Sequence, residues 1–240
     1  MGRSNKRILE NEIILYKGDA QKLLKKIEDK SIDVILTDPP YNIAQYSTGN
    51  IKLKNHADLN NDIGEWDEKP LNYKKYAKEF LRIIKPTGNI FIFTTYNQIG
   101  KWHEVLDEHF DTTQLFVWHK KNPTPNIFRK GFLNSCELII CFWNKKHTWN
   151  FSNQKEMHNF LETPICMGNE RLKNPKHPSQ KPIKVLEHLL KIASNEGDLV
   201  LDPFMGVAST GQACKNLKRK FIGFELDEQF FIESIERLKN

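Results

Sequence analysis

Residues 198–211 read DLVLDPFMGVASTG. The apolar run ends at Asp202-Pro203, a turn follows around Gly206, and Ser209-Thr210-Gly211 opens a helical pattern. Gly206 has no Cβ, so the backbone there can take a positive φ or approach a ligand closely. Free N–H groups at a helix start suit a carboxylate or another anion. Ser209 and Thr210 can reach a ligand or help cap the helix. The next strand, Lys220 to Phe224, ends at Glu225, about 20 residues beyond the turn. An acid at that spacing accepts the ribose hydroxyls of a nucleoside cofactor in a doubly wound sheet. A structural turn followed by a surface glutamate is the other reading. Neither GxGxxG nor the GKS or GKT of a phosphate loop occurs, which weighs against dinucleotides and triphosphates.

Working outward, short apolar runs alternate with helical patterns, the signature of an α/β sheet. Strands are expected at Ile13–Tyr16, in SIDVILT (31–37), in NIFIFTT (89–95), at Thr112–His119 and at Cys136–Trp143, the last two as a hairpin at the sheet edge. Helices are expected at about 19–28 with Asp19 as cap, at 73–84 ended by KPTGN, around 99–106, and through Val185, Leu186, Leu189, Leu190 and Ile192. A last helix carries Phe230, Phe231, Ile235 and Leu238. Residues 42–71 lack periodicity, and so long a connection implies a functional loop or partial disorder.

TDPPY at 37–41 closes a central strand at its carboxyl end, where open α/β sheets place ligands. Asp38 supplies a carboxylate acceptor, Pro39 a carbonyl and Tyr41 a flat ring. Two acceptors on an aromatic amine would aim its lone pair and favour a pyramidal nitrogen. Read alone, the string is equally a sharp strand exit.

Net charge is +6, which permits nucleic-acid binding without requiring it. Between Trp118 and His177 lie ten Lys and Arg residues with few acids between them, interleaved with aromatics. Lys120, Lys121, Arg129, Lys130, Lys145 and Lys146 are the candidate phosphate contacts, against an ordinary solvated face as the alternative. Cys136, Cys141, Cys166 and Cys214 match neither a CxxC pair nor a closed zinc site and read as buried thiols, with no metal expected. No apolar run is long enough to span a bilayer, and the amino terminus lacks a signal pattern, so a cytoplasmic protein is expected.

Three strings together, TDPPY, HPSQKP (177–182) and LDPFMGVASTG (201–211), resemble the amino-group DNA methyltransferases, N6-adenine and N4-cytosine, in their beta arrangement. There the catalytic segment precedes the cofactor segment, and the likeness covers almost the whole chain. It implies a circularly permuted Rossmann-like methyltransferase fold: a seven-stranded, mostly parallel sheet with helices on both faces, entered at the third strand and reaching the first near Leu199. It implies S-adenosyl-L-methionine as cofactor and a flipped-out adenine in DNA as target, because cytosine enzymes more often carry Ser in place of Asp38. Asp38, Pro39, Pro40 and Tyr41 would form the catalytic segment. Asp19, Asp38, Ser179, Lys181, Asp202, Phe204, Met205, Gly206, Ser209, Thr210 and Glu225 would line the cofactor, with Ser179 and Lys181 on its polar tail. The loop departs from the common DPFxGSGTT at Val207 and Ala208.

By the same resemblance, residues 1–143 form the catalytic half with its loop 42–71, 144–176 a target-recognition insertion, and 177–240 the cofactor half. WHKKNPTPN and NNDIGEWD are similar to restriction-associated adenine enzymes, some acting on single strands and some on GATC. Homodimerisation and a cognate restriction endonuclease on the same site fit that company. Methylation of cytosine N4 or of RNA, and a catalytically silent DNA-binding module, remain the competing readings.

Overall fold

Apolar residues that alternate between two faces build the centre of the sheet. In the computed structural model, which describes residues 5–9, 12–41, 70–126, 129–172 and 179–239, the strands are β1 (Lys6–Leu9), β2 (Ile13–Lys17), β3 (Ile32–Thr37), β4 (Ile84–Thr94), β5 (Thr112–Lys120), β6 (Cys136–Trp143), β7 (Phe160–Thr163), β8 (Leu199–Asp202) and β9 (Lys220–Glu225). The helices are α1 (Ala20–Leu24), α2 (Tyr73–Ile83), α3 (Ile99–Leu106), α4 (Ile183–Ala193), α5 (Ser209–Asn216) and α6 (Glu228–Lys239). Sheet order is β1-β2-β9-β8-β3-β4-β6-β5-β7. Strands β2, β9, β8, β3 and β4 run parallel, whereas β6 is antiparallel to both β4 and β5.

The period of two decides which helices cover which face. Val34, Leu36, Phe91 and Phe93 pack under α4, α5 and α6. Ile35, Ile90, Ile92 and Phe142 pack under α1, α2 and α3. Chain order reverses between β3 and β8, and that switch point opens a crevice at the carboxyl ends of both. The chain enters the parallel core at β2 and reaches β8 only at Leu199, the permuted order expected.

The differences from expectation are local. The seven expected strands gain β1 and β7 at the two edges, so the β5–β6 hairpin is not the sheet border. Helix α1 is shorter than 19–28, because Arg82 takes the carbonyls of Leu24 and Ile27 at 2.9 and 2.7 Å. KPTGN does not separate helix from strand; it is absorbed in β4 as a register shift, with Ile32 opposite Ile84 but Val34 opposite Asn89. Gly88 is required there, since a Cβ would stand 2.8 Å from the Asp33 carbonyl oxygen. On α4, Ala193 joins the buried face where Ile192 was expected, and Ile192 is only half-buried. Cys141, Cys166 and Cys214 are buried as expected, but Cys136 is exposed at the start of β6. Among the described residues no helix is long and apolar enough to cross a membrane.

Candidate active site

The two decisive motifs meet at the switch point. Thr37, the last residue of β3, donates its hydroxyl to Asp202 Oδ1 at 2.8 Å, and Thr210 on α5 donates to Oδ2 at 2.8 Å. The backbone N–H of Phe204 also reaches Oδ1, at 3.1 Å. Asp202 is therefore a bolt between β3 and the loop before α5. Burial pushes its carboxyl up to about 6, against the pull of those donors.

Asp38 follows directly. Tyr41 donates its hydroxyl to Asp38 Oδ1 at 2.5 Å, and Lys181 donates to Oδ2. Gln98, ahead of α3, donates Nε2 to the Pro40 carbonyl at 3.2 Å and so anchors the double-proline exit. Pro39 is buried and Pro40 half-buried. Burial lifts the Asp38 carboxyl above its ordinary value, and the Lys181 ammonium works against that lift. Lys181 in turn lies 3.3 Å from Glu137 Oε2, and Lys120 lies 2.9 Å from Oε1 of the same carboxylate.

A narrow cleft opens between these groups, lined by Thr37, Asp38, Phe93, Ser179, Lys181, Phe204, Met205, Ser209 and Thr210 among others. Gly206 has the positive φ its turn requires, at 53°, and Met205 is buried against Gly223, where a Cβ would meet its sulfur at 2.3 Å. Ala208 also takes a left-handed conformation, at φ 56°. Arg237 on α6 braces the loop from behind, donating to the Val207 carbonyl at 3.2 Å and to Ser209 Oγ at 3.1 Å. Glu225 ends β9 beside this loop, and burial pushes its carboxyl up to about 7. Gly18 donates its N–H to the Glu225 carbonyl at 2.8 Å, which puts Asp19 on the same carboxyl edge. Asp19 caps α1 by accepting from Lys22 N at 3.0 Å.

The structure thus gathers Asp38, Ser179, Lys181, Asp202, Phe204, Met205, Ser209 and Thr210 around one cleft, with Tyr41 bonded to Asp38 and Gly206 between the lining residues Met205 and Val207; Glu225 and Asp19 are not among the lining residues. Lys181 lines this cleft, and its ammonium is paired with two carboxylates, Asp38 and Glu137. His177 and Pro178, and residues 42–69 of the 42–71 loop, lie outside the described residues.

The basic candidates separate. Lys120 is nearly buried and paired to Glu137, and Lys121 pairs with Glu162 at 3.2 Å, so both carry an acid partner that sequence proximity hides. Arg129 and Lys130 are exposed in the connection from β5 to β6, at the carboxyl end of β4 and β5. Lys145 and Lys146 follow Trp143, which pairs with Thr112 and Asn89 at the strands' amino ends. The length of β6 puts them roughly 20–25 Å away along the sheet from the Asp38 edge. Of residues 144–176, the stretch around Thr148 and Asn150 is likewise pinned to the amino end, through Thr87 and the end of α4, and β7 leads back to the carboxyl end.

Glu137, Thr37, Gln98 and Arg237 were not singled out from the sequence. The available signal for Glu137 was a lone acid inside the apolar strand CELIICFW.

Comparison with known proteins agrees with this geometry. The family profile described as DNA methylase, of the N6/N4 methyltransferases, matches residues 32–236. The Type II methyltransferase M2.DpnII of Streptococcus pneumoniae is 30% identical over 96% of this chain and 91% of its own. M2.LlaDCHI of Lactococcus lactis subsp. cremoris is 31% identical over 95% and 90%. The crystal structure of M1.HpyAVI in complex with SAM aligns with a TM-score of 0.68 at 27% identity, covering 93% of this chain and 98% of that one. PvuII DNA methyltransferase (cytosine-N4-specific) aligns at 0.67 over 93% and 85%, and at 20% identity it attests the fold alone. A permuted sheet, a TDPPY strand bolted to the loop before α5, and a profile spanning both establish that the chain belongs to the N6/N4 DNA methylase family, S-adenosyl-L-methionine-dependent methyltransferases of amino groups in DNA.

Proposed function

We propose that the chain methylates the N6 amino group of an adenine turned out of the helix at a specific DNA sequence. What carries this reading is the Asp38 carboxylate at the switch point, held on the Tyr41 hydroxyl and facing the same cleft as Phe204, Ser209 and Thr210. The adenine amine is a poor nucleophile because its lone pair is delocalised into the ring. Asp38 and the Pro39 carbonyl accept its two N–H groups, draw the nitrogen toward a pyramidal shape and stabilise the positive charge that develops on attack. Tyr41 offers its ring as a stacking surface that offsets part of the unstacking cost.

The cleft fits the cofactor: Ser179, Met205, Gly206 and Thr210 surround a space for the methionine end, and Asp202 fixes the turn. Glu225 accepts from the ribose, with Asp19 near the adenine. When bound, S-adenosyl-L-methionine supplies an electrophilic sulfonium methyl. The chain's own residues orient the amine and exclude water.

Lys121, Arg129 and Lys130 form the phosphate-facing rim, with Phe132 fully exposed and Leu133 half exposed beside them. Residues 163–172 of the 144–176 segment supply target recognition from the same side. The Type II names of both bacterial relatives support a cognate restriction endonuclease acting on the same site, and hence a cytoplasmic enzyme. The family resemblance alone supports a homodimer, which sedimentation would test.

The test is incubation with S-adenosyl-L-methionine and mixed genomic DNA, followed by single-molecule modification sequencing and nucleoside mass analysis. N6-methyladenine in one sequence motif is expected; N4-methylcytosine, or no methylated base, overturns the assignment. Asp38→Ala should lower methyl transfer by about 10²–10³-fold or more while largely sparing cofactor binding. Unchanged turnover in that variant would remove Asp38 from the mechanism.

A further inference from the structure

Four charged groups, Lys181 buried and the other three partly so, form a row beside the target pocket: Lys120 on β5, Glu137 on β6, Lys181 ahead of α4 and Asp38 after β3. Their signs alternate and cancel. Lys120 Nζ holds Glu137 Oε1 at 2.9 Å, and the other oxygen, Oε2, stands 3.3 Å from Lys181 Nζ. That oxygen is buried and is held by this longer ion-pair contact, without a well-aligned hydrogen bond. Lys181 donates to Asp38 Oδ2 instead, and its side chain is only 6% exposed. Its ammonium also sits 5.5 Å from the centre of the Tyr41 ring and 5.2 Å from that of Phe93.

Lys181 therefore occupies the seat on Asp38, over Tyr41, that the target amine needs. The amine becomes cationic as the methyl arrives. Two cations on one carboxylate oxygen, in a site withdrawn from water, repel strongly. Retreat into the apolar core would leave a buried ammonium unpaired, which is costlier still.

We infer that Glu137 is a second seat for Lys181: when the amine enters, the Lys181 ammonium moves from Asp38 Oδ2 to Glu137 Oε2, so Asp38 is freed and the buried ammonium stays paired. Glu137 is thus a positioning residue, acting through Lys181 and oriented by Lys120. Protonation states agree with the geometry. Burial opposes the charge on Lys181, but Asp38 and Glu137 raise its pKa above the ordinary value. Burial likewise opposes ionisation of Glu137, and Lys181 and Lys120 nonetheless hold its pKa below the usual range.

This inference rests on Asp38 as the acceptor of the amine, and the experiment separates the two. Once the recognised motif has been read, cofactor-free affinity is measured by fluorescence anisotropy for duplexes carrying, at the target position, either adenine or purine, which lacks the 6-amino group. Glu137→Gln should weaken binding of the adenine duplex by about tenfold relative to wild type and leave the purine duplex unchanged. Adding Lys181→Met should restore the adenine duplex, because the competitor for Asp38 is gone. Equal weakening of both duplexes, no weakening of either, or no restoration in the double variant overturns the second seat. Melting temperature and cofactor affinity, measured alongside, identify a variant that merely misfolds. Asp38→Ala is the control. If it loses the preference for adenine over purine while Glu137→Gln does not, only the second seat fails; if it keeps the preference, Asp38 is not the acceptor.

Discussion

Glu225 shows how burial converts an ordinary acid into a sensitive one. It ends β9 at the cleft edge, and its carboxyl ionises only at about 7. Ribose hydroxyls donate hydrogen bonds, so the ionised form is the better acceptor. Cofactor affinity should therefore rise with pH through about 7. Calorimetric titration between pH 5.5 and 8.5 should show that slope, and Glu225→Gln should flatten it and weaken binding by roughly tenfold. A pH-independent affinity in the wild type would remove Glu225 from the ribose site. Stability of the free protein runs the other way. A carboxyl whose folded pKa lies above its unfolded value contributes most below the usual carboxylate range and loses that contribution as pH rises through about 7. Asp202, at about 6, adds to the same trend, although its three donors limit the effect.

The junction between β8 and α5 is the element on which the proposed cofactor and base pockets both depend. Three devices hold it: Asp202 bolts it to β3 through Thr37, Arg237 braces it from α6, and Gly206 supplies the turn. Ala208 is the strained member. It stands at φ 56° and ψ 45° with its side chain buried, a conformation that costs a residue with a Cβ about 1–2 kcal/mol. Ala208→Gly should stabilise the protein by roughly 0.5–1 kcal/mol, the relief of strain exceeding the added entropy of the unfolded chain. Chemical denaturation would measure it. A loss of stability would mean that packing of the Ala208 methyl outweighs the strain. The departure from the common loop at this position was plain in the sequence, but its backbone cost was not, because φ depends on how the loop is tied down at both ends.

At the scale of the whole molecule, the direction of β6 sorts the positive charges. Lys145 and Lys146 stand at the amino end of the parallel strands, while Arg129 and Lys130 stand at the carboxyl end with Asp38. Replacing Arg129 and Lys130 with Gln should weaken DNA binding and reduce the slope of log affinity against log salt by about 0.9 for each lost phosphate contact. The same change at Lys145 and Lys146 should leave both unaltered. Anisotropy titrations at several salt concentrations decide it, and an equal effect from both pairs would contradict a DNA path confined to the carboxyl edge. Much of this architecture was legible in the chain itself. Alternating runs such as SIDVILT and NIFIFTT, the proline exit at 38–40 and the glycine turn at 206 are local patterns set by side-chain period and backbone sterics. They determined seven of the strands and the family, and pointed to the cleft between β3 and β8. Local pattern could not reveal which distant charges meet. The partners of Lys181, Asp38 and Glu137, the pairing of Lys120 and Lys121 with glutamates, and the opposite placement of Lys145 all follow from strand order and direction. Those are fixed by packing both faces of the sheet at once, so only the tertiary structure decided them.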